Sequence, residues 1–290
     1  RERAEMHAMD IKFIEFDESA SDSQIQKNTL LVKDFNLNHP VQPGVMDSKN
    51  GSYALSIIDN AVQGCMDGQF TGCITGPVNK ESIAKSGYKF SGHTEYIGKL
   101  CNQTPVMTFI SDQMKIALLT THLPIKTVPK HITIQGIMDV VNIIHADLVN
   151  YFGIKNPNIG ITGLNPHAGE NGHIGKEEEE IFLPALKSLN DSGIHIDGPY
   201  AADTILLNNN NHDLIISIFH DQLLPLFKHA NPHLSTNVTM GLKIIRTSVD
   251  HGVAFDKVGT PDINHQSLYH ALDTAKSMAN SYEKTKSAQS

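Results

Sequence analysis

Three histidines of this 290-residue chain stand where a ligand would meet them: His122, His167 and His220. Each follows a short apolar, β-branched run that reads as a strand. His122 follows Ile116-Ala-Leu-Leu-Thr-Thr121, and His220 directly ends Leu214-Ile-Ile-Ser-Ile-Phe219. His167 follows the run ending at Thr162 through the turn Gly163-Leu-Asn-Pro166. In open α/β sheets ligands lie beyond the carboxyl ends of the strands, so all three imidazoles sit at binding positions. Neutral imidazole is the commonest ligand for borderline divalent metals, and three with open positions make a catalytic site, not a closed structural one. A single histidine there more often caps a strand; three at equivalent places are harder to explain that way.

Anion-binding chemistry lies nearby. Ser91-Gly-His93-Thr94-Glu95 opens a helix whose backbone N–H groups and hydroxyl could hold an anion. Lys228 falls eight residues after His220, about two helical turns, so both can face one cleft. Arg246 stands inside the apolar run Ile244–Val249, where an unpaired charge would be costly. With Asn237 between them in sequence, Lys228 and Arg246 make a suitable clamp for phosphate or carboxylate. Glycine-rich turns at Thr75–Lys80 and His167–Gly175 flank these positions, but neither a P-loop nor a strand-bound GxGxxG is present. Glu177–Glu180 reads as four carboxylates at a solvated helix start, with Pro184 kinking that helix or delaying its start.

Strand-like runs at 29–32, 72–75, 106–110, 116–120, 158–162, 214–219 and 244–249 alternate with helical stretches at 53–66, 133–152, 177–189 and 267–282. An earlier strand is expected at Ile11–Phe16. This alternation predicts an α/β fold of mainly parallel sheet covered by helices. The net charge of −8 has no Lys/Arg-rich run, which argues against a nucleic-acid partner. No apolar stretch approaches the roughly 18 residues that would cross a bilayer, and no charged-then-apolar leader is seen. Three cysteines without a CxxC pair fit inert thiols in a reducing cytosol, so a cytoplasmic location is expected.

Seven collinear segments resemble the 4-hydroxythreonine-4-phosphate dehydrogenase family: ITGPVNK (74–80), SGHTE (91–95), TTHLP (120–124), GLNPHAGENGHIG (163–175), DGPYAADT (197–204), FHDQLLPLFK (219–228) and IRTSVDHG (245–252). The resemblance implies a two-lobed fold like the isocitrate and isopropylmalate dehydrogenases. Residues 1–90 with 235–290 would form the cofactor lobe, and 91–234 the metal and dimer-interface lobe. It also implies a homodimer with its active site at the interface, where His220 reaches across to the partner's site. By the same resemblance His122, His167 and His220 bind one divalent metal, and three imidazoles favour zinc or cobalt over magnesium. His93, Thr94, Lys228, Asn237 and Arg246 would contact a small phosphorylated substrate. His251, Gly252, Ala254, Asp256 and Gly259 resemble a cofactor loop, but Pro261 replaces a usual glycine, which leaves NAD and NADP both open. Lys228 and Asp221 are alternative proton acceptors.

The implied reaction oxidises 4-phosphohydroxy-L-threonine and releases carbon dioxide from the product. The alternatives are a paralogue acting on threonate or erythronate 4-phosphate, a phosphate acyltransferase, and a non-catalytic binding protein. The family opens with a further strand and a Pro-Gly-rich loop, and the chain starts at Arg1 without them, so a preceding segment is expected.

Overall fold

Alternation of side chains across a strand decides how this molecule is layered. In the run Val106–Ile110, Val106 and Ile110 join one buried cluster while Met107 and Phe109 join another. Leu214 and Ile216 likewise face the first cluster and Ile215 the second. A sheet apolar on both faces must be covered on both, which is why its strands read as continuous apolar runs.

The computed structural model describes residues 1–17, 26–37, 39–207, 212–260 and 263–289. Its strands are β1 (Lys12–Glu15), β2 (Thr29–Val32), β3 (Gly72–Thr75), β4 (Val106–Ile110), β5 (Lys115–Leu118), β6 (Ile159–Thr162), β7 (Ile196–Tyr200), β8 (Leu214–Ser217), β9 (Thr236–Met240) and β10 (Ile245–Val249). The helices are α1 (Glu2–Met6), α2 (Gly51–Met66), α3 (Lys80–Lys85), α4 (His93–Leu100), α5 (Val128–His131), α6 (Ile134–Phe152), α7 (Leu183–Asp191), α8 (His220–Ala230) and α9 (Gln266–Gln289). One sheet runs in the order β3-β10-β9-β4-β5-β8-β6-β7, and β1 pairs with β2 separately.

The α/β class holds, with a mixed sheet. Among the described residues five strand pairings are parallel and three antiparallel, the latter joining β10, β9, β4 and β5. In the eight-stranded sheet β3, β10 and β9 lie together at one end and β4, β5, β8, β6 and β7 at the other. Strands β7 and β9 lie outside the predicted runs. Strand β7 contains Gly198-Pro199 and sits at the sheet edge, where a missing N–H removes no ladder bond.

Helix α6 shows how local chemistry sets the frame. Thr133 accepts a hydrogen bond from Gly136 N at its start, and Gly153 (φ 69) takes the left-handed conformation that ends it. Between these, Ile137, Val141, Ile144 and Leu148 recur at helical spacing and are buried against the sheet and α9. Truncating one of them, such as Ile144→Ala, should cost about 2–5 kcal/mol. No single helix among the described residues is long and apolar enough to cross a membrane. The three cysteines are unpaired, and burial pushes the Cys65 thiol up to about 12.

Candidate active site

Arg246 lies on β10 between β3 and β9, and only 2% of it is exposed. Its flanking strands supply the oxygens that make a buried charge tolerable. Nη2 donates to Thr75 Oγ1 on β3 at 2.6 Å, and Nη1 donates to Thr239 Oγ1 on β9 at 2.9 Å. Asn237 Oδ1 accepts from Nη1 at 3.5 Å, while Nε has no partner. Burial lowers the Arg246 pKa to about 10, which still leaves the group charged at neutral pH. Cys73 and Glu95 favour its charged form.

His93 starts α4 beside this cation. Burial first, then the charges of Arg246 and Lys80, bring its pKa down to about 4, so the imidazole is neutral near pH 7. Thr94 is buried, and no side chain caps α4, leaving the first-turn N–H groups to other acceptors. His93, Asn237 and Arg246 thus belong to one polar centre, with Thr94 buried next to His93 in α4. Lys228, by contrast, is already engaged: Nζ pairs with Asp250 Oδ1 at 2.8 Å and lies 5.6 Å from the centre of the Phe109 ring.

The histidines form the opposite rim. His122 and His220 face each other with ring centroids 5.7 Å apart. Sheet order explains this, because β5 and β8 are adjacent parallel strands and both histidines follow their carboxyl ends. His167 comes from the far side of β8, after β6, on a turn where His167 (φ 52) and Ala168 (φ 51) are left-handed. It lines a cavity of about 550 Å³ with Asn165, Leu164 and Gln222. His122 and His220 line a separate cavity of about 270 Å³. Ile125, Val128 and Phe219 form the wall common to both. The chain therefore brings two of the three histidines together, and among the described residues no three His, Cys, Asp or Glu side chains form a metal-ready group.

Several residues that build this rim escape a reading of the sequence alone. Glu178 is no solvated helix carboxylate; it is 3% exposed. Its Oε1 accepts from Asn165 N at 2.8 Å and its Oε2 from Asn165 Nδ2 at 2.9 Å, which fixes the turn carrying His167. Glu177 Oε2 accepts from the same Nδ2 at 2.8 Å. Pro184 lies in the first turn of α7, after a π turn over Glu178–Phe182, so the helix proper starts later than the acidic run. Gln222 ties α8 to the sheet: Oε1 accepts from Thr162 Oγ1 and Ile218 N, and Nε2 donates to Gly163 O. Thr75 and Thr239, which hold Arg246, were missed as well; Thr239 shares a strand face with Asn237, but β9 lies outside the predicted strands.

The candidate cofactor residues lie on the exposed segment after β10. His251 Nδ1 contacts Gly252 O at 2.9 Å, and Ala254 precedes a turn over Phe255–Lys257 that includes Asp256. Gly259 needs its positive φ of 81°, and nothing lies within 4 Å of a Cβ at Gly252. Pro261 and Asp262 lie outside the described residues.

Comparison with known proteins shows the family. Residues 1–275 match the family model described as pyridoxal phosphate biosynthetic protein PdxA. The 4-hydroxythreonine-4-phosphate dehydrogenase of Pseudomonas putida is 44% identical over 254 residues, covering 87% of this chain and 77% of that protein. Its counterpart in Vibrio vulnificus is 40% identical over 279 residues, covering 94% and 85%. The crystal structure of the Klebsiella pneumoniae 4-hydroxythreonine-4-phosphate dehydrogenase superposes with a TM-score of 0.85 at 29% identity, covering 96% of this chain and 87% of that one. The chain belongs to the family of pyridoxal phosphate biosynthetic protein PdxA, and it is an enzyme of the oxidoreductase class.

Proposed function

We propose that this chain oxidises 4-phosphohydroxy-L-threonine with NAD or NADP and releases carbon dioxide to leave 3-amino-2-oxopropyl phosphate. The observation that carries the reading is the juxtaposition of two unlike ends. A buried guanidinium in a cradle of Thr75, Thr239 and Asn237 lies beside a neutral His93 at the uncapped start of α4. Glu95, two residues on, reaches His122 of the histidine pair. A substrate with a phosphate at one end and a hydroxyl beside a carboxylate at the other would span that interval.

Arg246, Thr94, His93 and the α4 N–H groups bind the phosphate and hold it out of water. His122 and His220, with His167 as third ligand, suit zinc or cobalt, since neutral imidazoles are their common ligands and hold magnesium poorly. A divalent cation bound there supplies Lewis-acid polarisation of the substrate's oxygen in both the oxidation and the decarboxylation. The segment His251–Gly259, with its open backbone at Gly252, would hold the nicotinamide cofactor, whose chemistry is to accept the hydride. The hydroxyl proton passes to Lys228 or Asp221. Lys228 is held by Asp250, and Asp221 by His220, so either must part from its partner to act.

Because one chain presents only a pair of these histidines side by side, we propose a homodimer in which a second chain completes the set. Mixing His122→Ala with His220→Ala subunits, and separately His122→Ala with His167→Ala, tests this. Activity returns in the first mixture alone if His220 crosses, in the second alone if His167 crosses, and in both if His122 crosses. No recovery in either after confirmed subunit exchange contradicts the shared site.

The sugar-acid phosphate reading is separated from this one by assaying cofactor reduction on both substrates. Turnover of threonate or erythronate 4-phosphate in preference to the amino substrate would replace it.

A further inference from the structure

The chain has 16 histidines, and among the described residues four have a carboxylate oxygen within 4.0 Å. Three of the four are the candidate metal ligands, and each of those meets its carboxylate through Nδ1. His220 Nδ1 is 2.6 Å from Asp221 Oδ1, His122 Nδ1 is 3.6 Å from Glu95 Oε1, and His167 Nδ1 is 4.0 Å from Glu170 Oε2. The fourth, His212, uses Nε2 instead. Asp221 and Glu170 lie close in sequence to their histidines, one and three residues away, so local geometry alone could bring them there. Glu95 is 27 residues from His122 and on a different element, and its contact must be built by the fold.

The surroundings of Glu95 argue against a mere surface carboxylate at a helix start. Its Oε2 is shielded from solvent and has no hydrogen-bond partner, which is costly for a carboxylate. That oxygen sits against Gly92, where a Cβ would stand 3.0 Å away. Glu95 also supports the charge of Arg246 through space, but the hydrogen bonds of Arg246 go to Thr75, Thr239 and Asn237 and none reaches Glu95. Its other oxygen, Oε1, on a side chain that is 36% exposed, faces His122 Nδ1.

We propose that Glu95 is a positioning residue that holds His122 with its proton on Nδ1, leaving Nε2 free for a cation, with Asp221 and Glu170 doing the same for His220 and His167. A neutral imidazole has one donor and one acceptor nitrogen, so a carboxylate at Nδ1 directs the lone pair to Nε2. Carboxylates in this position orient metal-binding imidazoles and raise their basicity. A cation held at Nε2 would make Nδ1–H a stronger donor toward Glu95 and Glu170, which now stand at 3.6 Å and 4.0 Å. Asp221 is thereby assigned to orienting His220, which leaves Lys228 the better proton acceptor of the two.

The proposal rests on the three histidines being the cation ligands, and the test separates the two ideas. Imidazole 15N spectra of the metal-free, full-length protein at about pH 8, where free histidine is neutral, give the tautomer of His122, assigned by its loss in His122→Ala. Cobalt affinity is measured by chelator competition for wild type, Glu95→Gln and His122→Ala, with thermal melts to check folding. The expected results are an Nδ1–H tautomer at His122 and cobalt binding about 10- to 100-fold weaker in Glu95→Gln. An Nε2–H tautomer, or Glu95→Gln binding within about twofold of wild type while His122→Ala fails to bind, overturns the positioning role alone. Unchanged cobalt affinity in His122→Ala overturns the ligand assignment and the proposal with it. The tautomer is read on wild type, so it remains decisive if Glu95→Gln does not fold.

Discussion

The two ends of the candidate site are built by opposite means. At the anion end Arg246 is 2% exposed, borne on a central strand and held by oxygens from the strands on either side. At the histidine rim the side chains of His122, His167 and His220 are 49%, 64% and 37% exposed and lie on turns or a helix start. One end is fixed by core packing within a single chain; the other brings two imidazoles together and holds the third apart. Strands give precision where the sheet already passes, whereas a cation ligand set needs donors converging from several directions. A turn held by carboxylates such as Glu178 carries the third histidine, and in the homodimer proposed above a second chain would supply what one sheet edge lacks.

If that contrast is right, the rim can be emptied without harming the fold, and the anion end cannot. Replacing His122 or His220 with Ala should lower kcat by roughly a thousandfold and remove bound metal, with a melting temperature near wild type. A substantial loss of stability in these variants would show that the rim is structural. At the other end, Arg246→Ala should lower kcat/KM for the phosphorylated substrate about 10- to 100-fold, and far less for its dephosphorylated analogue. It should also destabilise the protein, because Thr75 and Thr239 lose a buried partner, and Arg246→Lys should restore only part. An unchanged ratio of efficiencies for the two substrates would remove Arg246 from the phosphate site.

A smaller effect is expected at Glu178, which acts through the His167 turn. Glu178→Gln keeps an acceptor but can no longer take hydrogen bonds on both oxygens, so cobalt affinity should fall about tenfold. Equal affinity would mean the turn is held by its backbone alone.

The smallest effect on catalysis should come from Asp147, on α6 and away from both ends. Burial raises its pKa to about 6, although Gly241 N donates to its Oδ2 at 2.7 Å. The folded protein therefore binds more protons than the unfolded chain between pH 3.8 and about 6, so this residue makes stability fall as pH rises through that window. Its contribution levels off above it. Asp147→Asn should flatten this slope in pH-dependent melts, by at most about 3 kcal/mol, with activity unchanged. His93 should tilt the curve the other way: its pKa is lowered to about 4, so stability is lost as pH falls from 6.5 towards that value.

These particulars also explain what could be read from the sequence. Apolar runs such as 106–110 and 214–217 declared themselves as strands because both faces are buried. Strand β9, Thr-Asn-Val-Thr-Met, did not, because Asn237 and Thr239, which face Arg246, break the apolar pattern. Its antiparallel placement between β10 and β4 is a choice of chain crossing that no local pattern records. Arg246 was legible because a charge inside an apolar run needs a reason. Glu178 was not, since a buried carboxylate and a solvated one look alike in a run of four glutamates. Convergence of all three histidines was expected, but sheet order places His122 beside His220 and His167 beyond a shared apolar wall.

The most direct test of the whole account is cofactor reduction by the full-length protein, supplied with zinc or cobalt, on 4-phosphohydroxy-L-threonine and on threonate and erythronate 4-phosphates. The account predicts reduction of NAD or NADP with the amino substrate, release of one carbon dioxide per hydride transferred, and a marked preference over the sugar acids. Preferred turnover of a sugar-acid phosphate, or oxidation of the amino substrate that proceeds equally well after thorough metal removal, would contradict it.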